Sequence, residues 1–182
     1  MKKFLFIAIA FIAFQTSNAQ SFAKGDTFVE GTVSFVTGDS NETFNFNPAV
    51  GYFVTDKVAV GVELNTQSTE NAAGVKTSDS FGVGAFARYY FLKIGERFNV
   101  YSQLGLGTSD DKVTDVKSTD VKAGLGANYF VTKNLSLTLR LTELARYSSV
   151  KSGGVSANET SIGFSGVNNP FATPTFGLNY RF

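Results

Sequence analysis

The sequence predicts an all-β fold: an eight-stranded antiparallel up-and-down β-barrel that spans a membrane. Three observations carry this. Apolar and polar residues alternate with a period of two in eight segments, most of them near the roughly 9 to 11 residues of a tilted membrane strand. The polar face of these segments is rich in glycine and poor in lysine, which suits a narrow closed interior better than a surface in water. The chain ends on an alternating stretch, TFGLNYRF at 175–182, where a frayed polar end is the usual pattern.

The elements follow in chain order. The first twenty residues, MKKFLFIAIAFIAFQTSNAQ, read as one unit. They have a basic start at Lys2 and Lys3, an unbroken apolar run at 5–14, and the small-x-small pattern Ser17-Asn18-Ala19. The run is far short of the roughly 20 residues a spanning helix needs. It reads as a secretory signal peptide over residues 1–19, cleaved after Ala19, with residues 20–182 forming one barrel domain. The chain has no cysteine. That excludes a lipid-modified N-terminus and leaves an exported protein to rely on hydrogen bonding and packing instead of disulfides. Its 16 basic and 15 acidic residues nearly cancel, so the charge gives no reason to expect nucleic acid as a partner.

In FVEGTVSFV (28–36), Val29, Val33 and Phe35 take one side, and Glu30, Thr32 and Ser34 the other. TFNFNPAVGYFV (43–54) sets Phe44, Phe46, Val50 and Tyr52 against Asn45, Asn47, Ala49 and Gly51. VAVGVELN (58–65) sets Val60, Val62 and Leu64 against Gly61, Glu63 and Asn65. SFGVGAFARYYF (80–91) sets Phe81, Val83 and Tyr89 against Gly82, Gly84, Phe86 and Arg88. FNVYSQLGLG (98–107) sets Val100, Leu104 and Leu106 against Asn99, Tyr101 and Gln103. VKAGLGANYF (121–130) sets Val121, Leu125 and Tyr129 against Lys122, Gly126 and Asn128. LSLTLRLT (135–142) sets four leucines against Ser136, Thr138, Arg140 and Thr142. The last segment sets Phe176, Leu178, Tyr180 and Phe182 against Gly177, Asn179 and Arg181.

Connections at 55–57, 92–97 and 131–134 are short. Those at 37–42, 67–79, 108–119 and 145–173 are read as loops, three of them long and rich in Ser, Thr, Asn, Asp and Gly. Short turns at one end and longer loops at the other fit an outer-membrane barrel. An even number of strands then puts both termini at the short-turn end, facing the periplasm. In a soluble barrel the apolar face would point inward. In a membrane barrel it meets lipid, and the small and polar face fills the interior. The glycines of the second face favour the membrane barrel.

An aromatic triple recurs about every 40 residues, just before each short turn: Tyr52-Phe53-Val54, Tyr89-Tyr90-Phe91 and Tyr129-Phe130-Val131. A tyrosine has an apolar ring and a polar tip, which suits the membrane–water boundary. Tyr52, Tyr89, Tyr129 and Tyr180 are therefore expected to form an aromatic girdle at the periplasmic end. Glu30, Glu63, Arg88, Arg140 and Arg181 all fall on the inward face, and a charge inside a barrel must be paired or hydrated. They are expected to form a lumen charge cluster, with Glu30 and Glu63 pairing with some of the arginines. Such a cluster plugs the barrel; partner exchange among the arginines would make it an ion gate instead.

The chain has no histidine. General-base catalysis at neutral pH most often uses one, so no catalytic residues and no enzymatic activity are expected. Without His or Cys a transition-metal site is not expected either, nor is any cofactor. Gly82-Val83-Gly84-Ala85-Phe86-Ala87 matches the dinucleotide pattern formally, but that pattern needs a strand-to-helix turn and here it lies inside a strand. Asp110, Asp111, Asp115 and Asp120 lack the turn glycine and closing Glu of a calcium loop.

With these segments in view, the chain resembles the small outer-membrane β-barrel domains of the OmpA/OmpX type, in the broad outer membrane protein beta-barrel domain grouping. The resemblance covers nearly all of residues 20–182. It is carried by NPAVGYFVTDKVAVG (47–61), ANYFVTKNLSL (127–137) and TFGLNYRF. It implies outer-membrane lipid as the surroundings and the barrel-assembly machinery as a transient partner. The last stretch is similar to the C-terminal signal that machinery reads: Gly177, Tyr180 and Phe182 match, and Phe176 stands where a polar residue is expected. An eight-stranded barrel is just wide enough for its own side chains. The expected function is thus non-enzymatic: an integral outer-membrane protein with a filled lumen, acting structurally or through surface contacts of its extracellular loops. A small channel, a carrier of hydrophobic molecules, or a subunit of a larger envelope complex are the alternatives.

Overall fold

The computed structural model of the protein describes residues 22–38, 40–152, 155–162 and 175–182. They form β1 (Thr27–Thr37), β2 (Asn41–Phe53), β3 (Val58–Asn71), β4 (Lys76–Ile94), β5 (Phe98–Asp111), β6 (Val116–Phe130), β7 (Leu135–Ser152), β8 (Val155–Ile162) and β9 (Thr175–Arg181). Strands β1 to β7 pair antiparallel in sequence order, and β9 lies between β7 and β1 and closes the ring. Along one edge of β7, β9 pairs with residues 135–140 and β8 with residues 145–152, while β6 covers the other edge. Strands β8 and β9 are thus the upper and lower pieces of one stave, and the structure is a closed eight-stranded antiparallel barrel. The signal-peptide reading at 1–19 lies outside the described residues.

The alternation decides which face goes where. Val62, Leu106 and Leu178 are 61%, 64% and 53% exposed on the outer wall, while Phe28, Glu30 and Thr32 are fully buried inside. Apolar outside and polar inside is stable only when lipid surrounds the wall. The two ends differ. The base holds the start of β1, the end of β9 and the turns at 54–57, 95–97 and 131–134; the mouth holds the opposite ends of the strands.

Two of the expected long loops are mostly strand. The segment read as a loop at 67–79 continues β3 to Asn71 and starts β4 at Lys76; the one at 108–119 continues β5 to Asp111 and starts β6 at Val116. The segment at 145–173 carries the top of β7 and all of β8, and its remainder lies outside the described residues. The physical reason is that a hydrogen-bond ladder does not need apolar side chains. Above the lipid the alternation fades, but Ser and Thr still pair well across strands, as in the 3.1 Å contact between the Thr43 and Thr69 hydroxyls. The tips then turn tightly. The Asn71 Oδ1 accepts from the N–H groups of Ala73 and Val75, with Gly74 at φ +73°, and the Asp111 Oδ1 accepts from those of Val113 and Thr114.

Inside the wall, glycines make room for large rings. A Cβ on Gly51 would collide with the ring of Phe28, and one on Gly126 with the ring of Tyr101. Gly51→Val and Gly126→Val should each lower stability by about 1–3 kcal/mol through overpacking. Gly105→Ala, whose methyl meets nothing nearer than 3.8 Å, should stay within about 0.5 kcal/mol. Urea unfolding of the refolded barrel in detergent micelles, followed by circular dichroism, measures all three.

Candidate functional site

The lumen is filled from the base upward. Each aromatic triple sends its first ring out and its second ring in. Tyr52, Tyr89 and Tyr129 are 40–48% exposed on the wall, whereas Phe53, Tyr90 and Phe130 are buried. Phe22, just ahead of β1, enters the base from below. Its ring stacks on Phe53 at 4.3 Å and lies 4.9 Å from Tyr90 and 5.0 Å from Phe130. Backbone bonds hold this segment down, with the Gly25 N–H donating to the Phe53 carbonyl at 2.9 Å. These inner aromatics were legible from the alternation, since Phe53 shares a face with Gly51, and Tyr90 with Arg88. Their shared purpose was not, because it depends on which rings meet across the lumen.

Above this layer sits a charge pair. Arg88 on β4 and Glu30 on β1 are both fully buried and form a bidentate bridge, with Nη1 to Oε2 at 2.6 Å and Nη2 to Oε1 at 2.5 Å. Three rings box the guanidinium: Phe86 and Tyr101, each centred 4.7 Å away, and Phe28 at 5.5 Å. The third side of Arg88 is also used, its Nε donating to Gln103 Oε1 at 2.7 Å. Glu30 accepts further bonds at 3.2 Å from Thr138 Oγ1, Asn179 Nδ2 and Arg140 Nη2. Arg140 reaches both acids, since the same Nη2 lies 3.1 Å from Glu63 Oε2. Taking two charges out of water costs several kcal/mol per ion, and only good geometry with every lone pair engaged offsets it. Glu30 meets that condition.

Four of the five expected lumen charges therefore come together: Glu30, Glu63, Arg88 and Arg140. Arg181 does not. It bridges to Asp26 at 3.1 Å, donates to the Lys133 carbonyl at 2.7 Å and lies over the Phe130 ring at 5.7 Å. The reason is register. The β9 residue opposite Glu30 is Asn179, and Arg181 sits one inward step lower, opposite Phe28. The aromatic layer thus separates it from Glu30. Thr138, Asn179 and Gln103 complete the cluster and carry no signal in the sequence beyond their inward placement.

Higher still, the lumen opens into a vestibule of about 620 Å³ whose floor includes Glu63, Tyr101, Gln103 and Arg140. Around the base, the ring of Tyr180 is 46% exposed like those of the other three girdle tyrosines, and it packs edge-on against Phe182 at 5.0 Å. Gly177 faces the lumen, where a Cβ would press on the Thr32 side chain and the Gly31 carbonyl. The Phe182 N–H donates to the Thr27 carbonyl at 2.8 Å, so the ladder runs to the last residue.

A model of the family described as "Outer membrane protein beta-barrel domain" matches residues 4–182. Among solved structures, the N-terminal β-barrel domain of OprF from Pseudomonas aeruginosa is 14% identical with a TM-score of 0.53, the likeness covering 87% of this chain and 98% of that one. Neisserial surface protein A is 17% identical with a TM-score of 0.52, covering 86% of this chain and 96% of that one. At this identity the two show a shared fold. No curated protein matches the sequence.

The buried pair makes a sharp ranking. Glu30→Gln leaves the Arg88 charge buried and should cost about 3–5 kcal/mol. Glu63→Gln leaves Arg140 its bond to Glu30 at a partly exposed site and should cost about 1 kcal/mol. The double change Glu30→Leu/Arg88→Met should cost less than Glu30→Gln alone, because no charge is stranded. Urea midpoints of the four proteins, wild type included, test the order.

Proposed function

The chain belongs to the outer membrane protein beta-barrel domain family, and from that premise we propose that it is a non-enzymatic integral outer-membrane protein whose barrel anchors surface-exposed hairpins. The observation that carries this reading is the blocked lumen. The aromatic layer around Phe22 and the Glu30–Arg88 bridge stand in series across it, which supports an anchor over a conduit. Above the apolar belt the β3–β4 and β5–β6 hairpins extend with polar side chains. Their tips each present one exposed valine, Val75 and Val113, and such tips are suited to contacts with molecules outside the cell.

In this proposal the leader is removed after Ala19, the base and both termini face the periplasm, and the mouth faces outward. Gly177, Tyr180 and Phe182 act as the stretch read by the barrel-assembly machinery. A second reading has one observation in its favour. Arg140 lies 3.2 Å from Glu30 and 3.1 Å from Glu63, so it can shift between two acids at the vestibule floor, as a small ion channel would require.

Purified protein in planar bilayers should give no reproducible single-channel steps. Steps that vanish in Arg140→Gln or Glu63→Gln would replace the anchor with the channel. Deleting Phe182 should reduce the heat-modifiable, outer-membrane fraction several-fold on unboiled gels of fractionated cells. An undiminished fraction would remove the assembly role from that residue.

A further inference from the structure

The vestibule above the plug is lined by residues of β1 to β7 and β9, and the plug lies beneath it. Its volume of about 620 Å³ falls inside the roughly 300–1,000 Å³ range of ligand pockets. Its chemistry departs from that class, which is mostly apolar. Here the wall presents amides and hydroxyls, among them Asn47, Asn65, Gln67 and Ser109. The charges on the lining balance. Glu63, Asp120 and Glu143 face Arg140, Arg146 and Lys122, and bridges at 3.0–3.8 Å join Arg140 to Glu63 and Arg146 to Asp120 and Glu143. A balanced lining gives little net field to draw an ion. A cation, or an anion directed at Arg140 or Arg146, would also have to break an existing bridge. A neutral molecule with many hydroxyls fits that lining without either cost.

The floor adds a second, independent observation. The hydroxyl of Tyr101, a residue only 1% exposed, and the Nε of Arg140 are both buried without a hydrogen-bond partner. Leaving a buried donor unpaired is destabilising, so each group favours a partner brought by a ligand. A ligand hydroxyl is both donor and acceptor and can satisfy either group once the floor side chains shift to admit it. We propose that the vestibule is a binding site for a small, neutral, polyhydroxylated solute of di- or trisaccharide size. The sugar is taken as one free in solution, and a lipid-anchored sugar is the other source the test distinguishes. This site stands apart from the surface contacts of the hairpins and holds whether or not those contacts exist.

The test is nuclear magnetic resonance of the protein refolded in phosphocholine micelles, with the Tyr101 ring and the Arg140 Nε–H labelled. Maltotriose should shift both signals saturably. Tyr101→Phe keeps the ring against Arg88, and so the fold, and should weaken binding about five- to tenfold; Asn65→Leu should weaken it by a similar factor. Dodecyl maltoside added to the micelles should leave both signals in place, and shifts with the lipid-anchored sugar alone would overturn the free-solute assignment. Shifts with inorganic phosphate but not maltotriose would overturn the neutral class. No shift with either would leave a hydrated vestibule only, and a maltotriose effect indifferent to both variants would place binding elsewhere; both results overturn the site.

Discussion

The structure depends on one pairing, that of β9 with β1. In lipid no water is available to satisfy a strand edge, so each N–H and C=O must find a partner within the sheet. The pairing runs from Phe28 opposite Arg181 to Val33 opposite Phe176, and the Phe182 N–H extends it to Thr27. Once the ring closes at eight staves, its inner width is set. The interior can then hold one layer of rings and one set of charges, and the rings of Phe28 and Tyr101 fit only because the paired position on the neighbouring strand is glycine. Gly51 under Phe28 and Gly126 under Tyr101 are consequences of that width.

The charge cluster ties the same seam from within. Glu30 comes from β1, Asn179 from β9, and Thr138 and Arg140 from β7, so the bonds on one carboxylate hold both sides of the closing strand. Arg88 reaches them from β4, across the lumen. A buried ion pair is weak evidence for stability in general, but here it bears directly on register. A slip of one residue between β1 and its neighbours would turn Glu30 into lipid and Val29 into the lumen. The bidentate bridge and the ring box around Arg88 thus penalise the most accessible error in barrel closure. They also fill the lumen at the height of Glu30 and Arg88.

Much of this was legible in the sequence because a period of two leaves only two faces for each residue. Val62 and Leu178 could only be outside once Gly61 and Gly177 were inside, and the tyrosines of the recurring triples could only share one rim. The vertical extent of the strands was less legible. The alternation of apolar residues reports the height of the lipid and is silent above it, so the Ser- and Thr-rich hairpins at 67–79 and 108–119 looked like loops.

The sequence by itself determined the strand pattern, the outward apolar belt and the set of inward charges, because each follows from local alternation. Only the tertiary structure decided which inward residues meet. Arg181 shares a face with Glu30 and a position near the base, yet the stagger of β9 places Asn179 opposite Glu30 and leaves Arg181 to Asp26. Partnership across a closed barrel is set by register and shear, which belong to the ring as a whole and are written in no single strand.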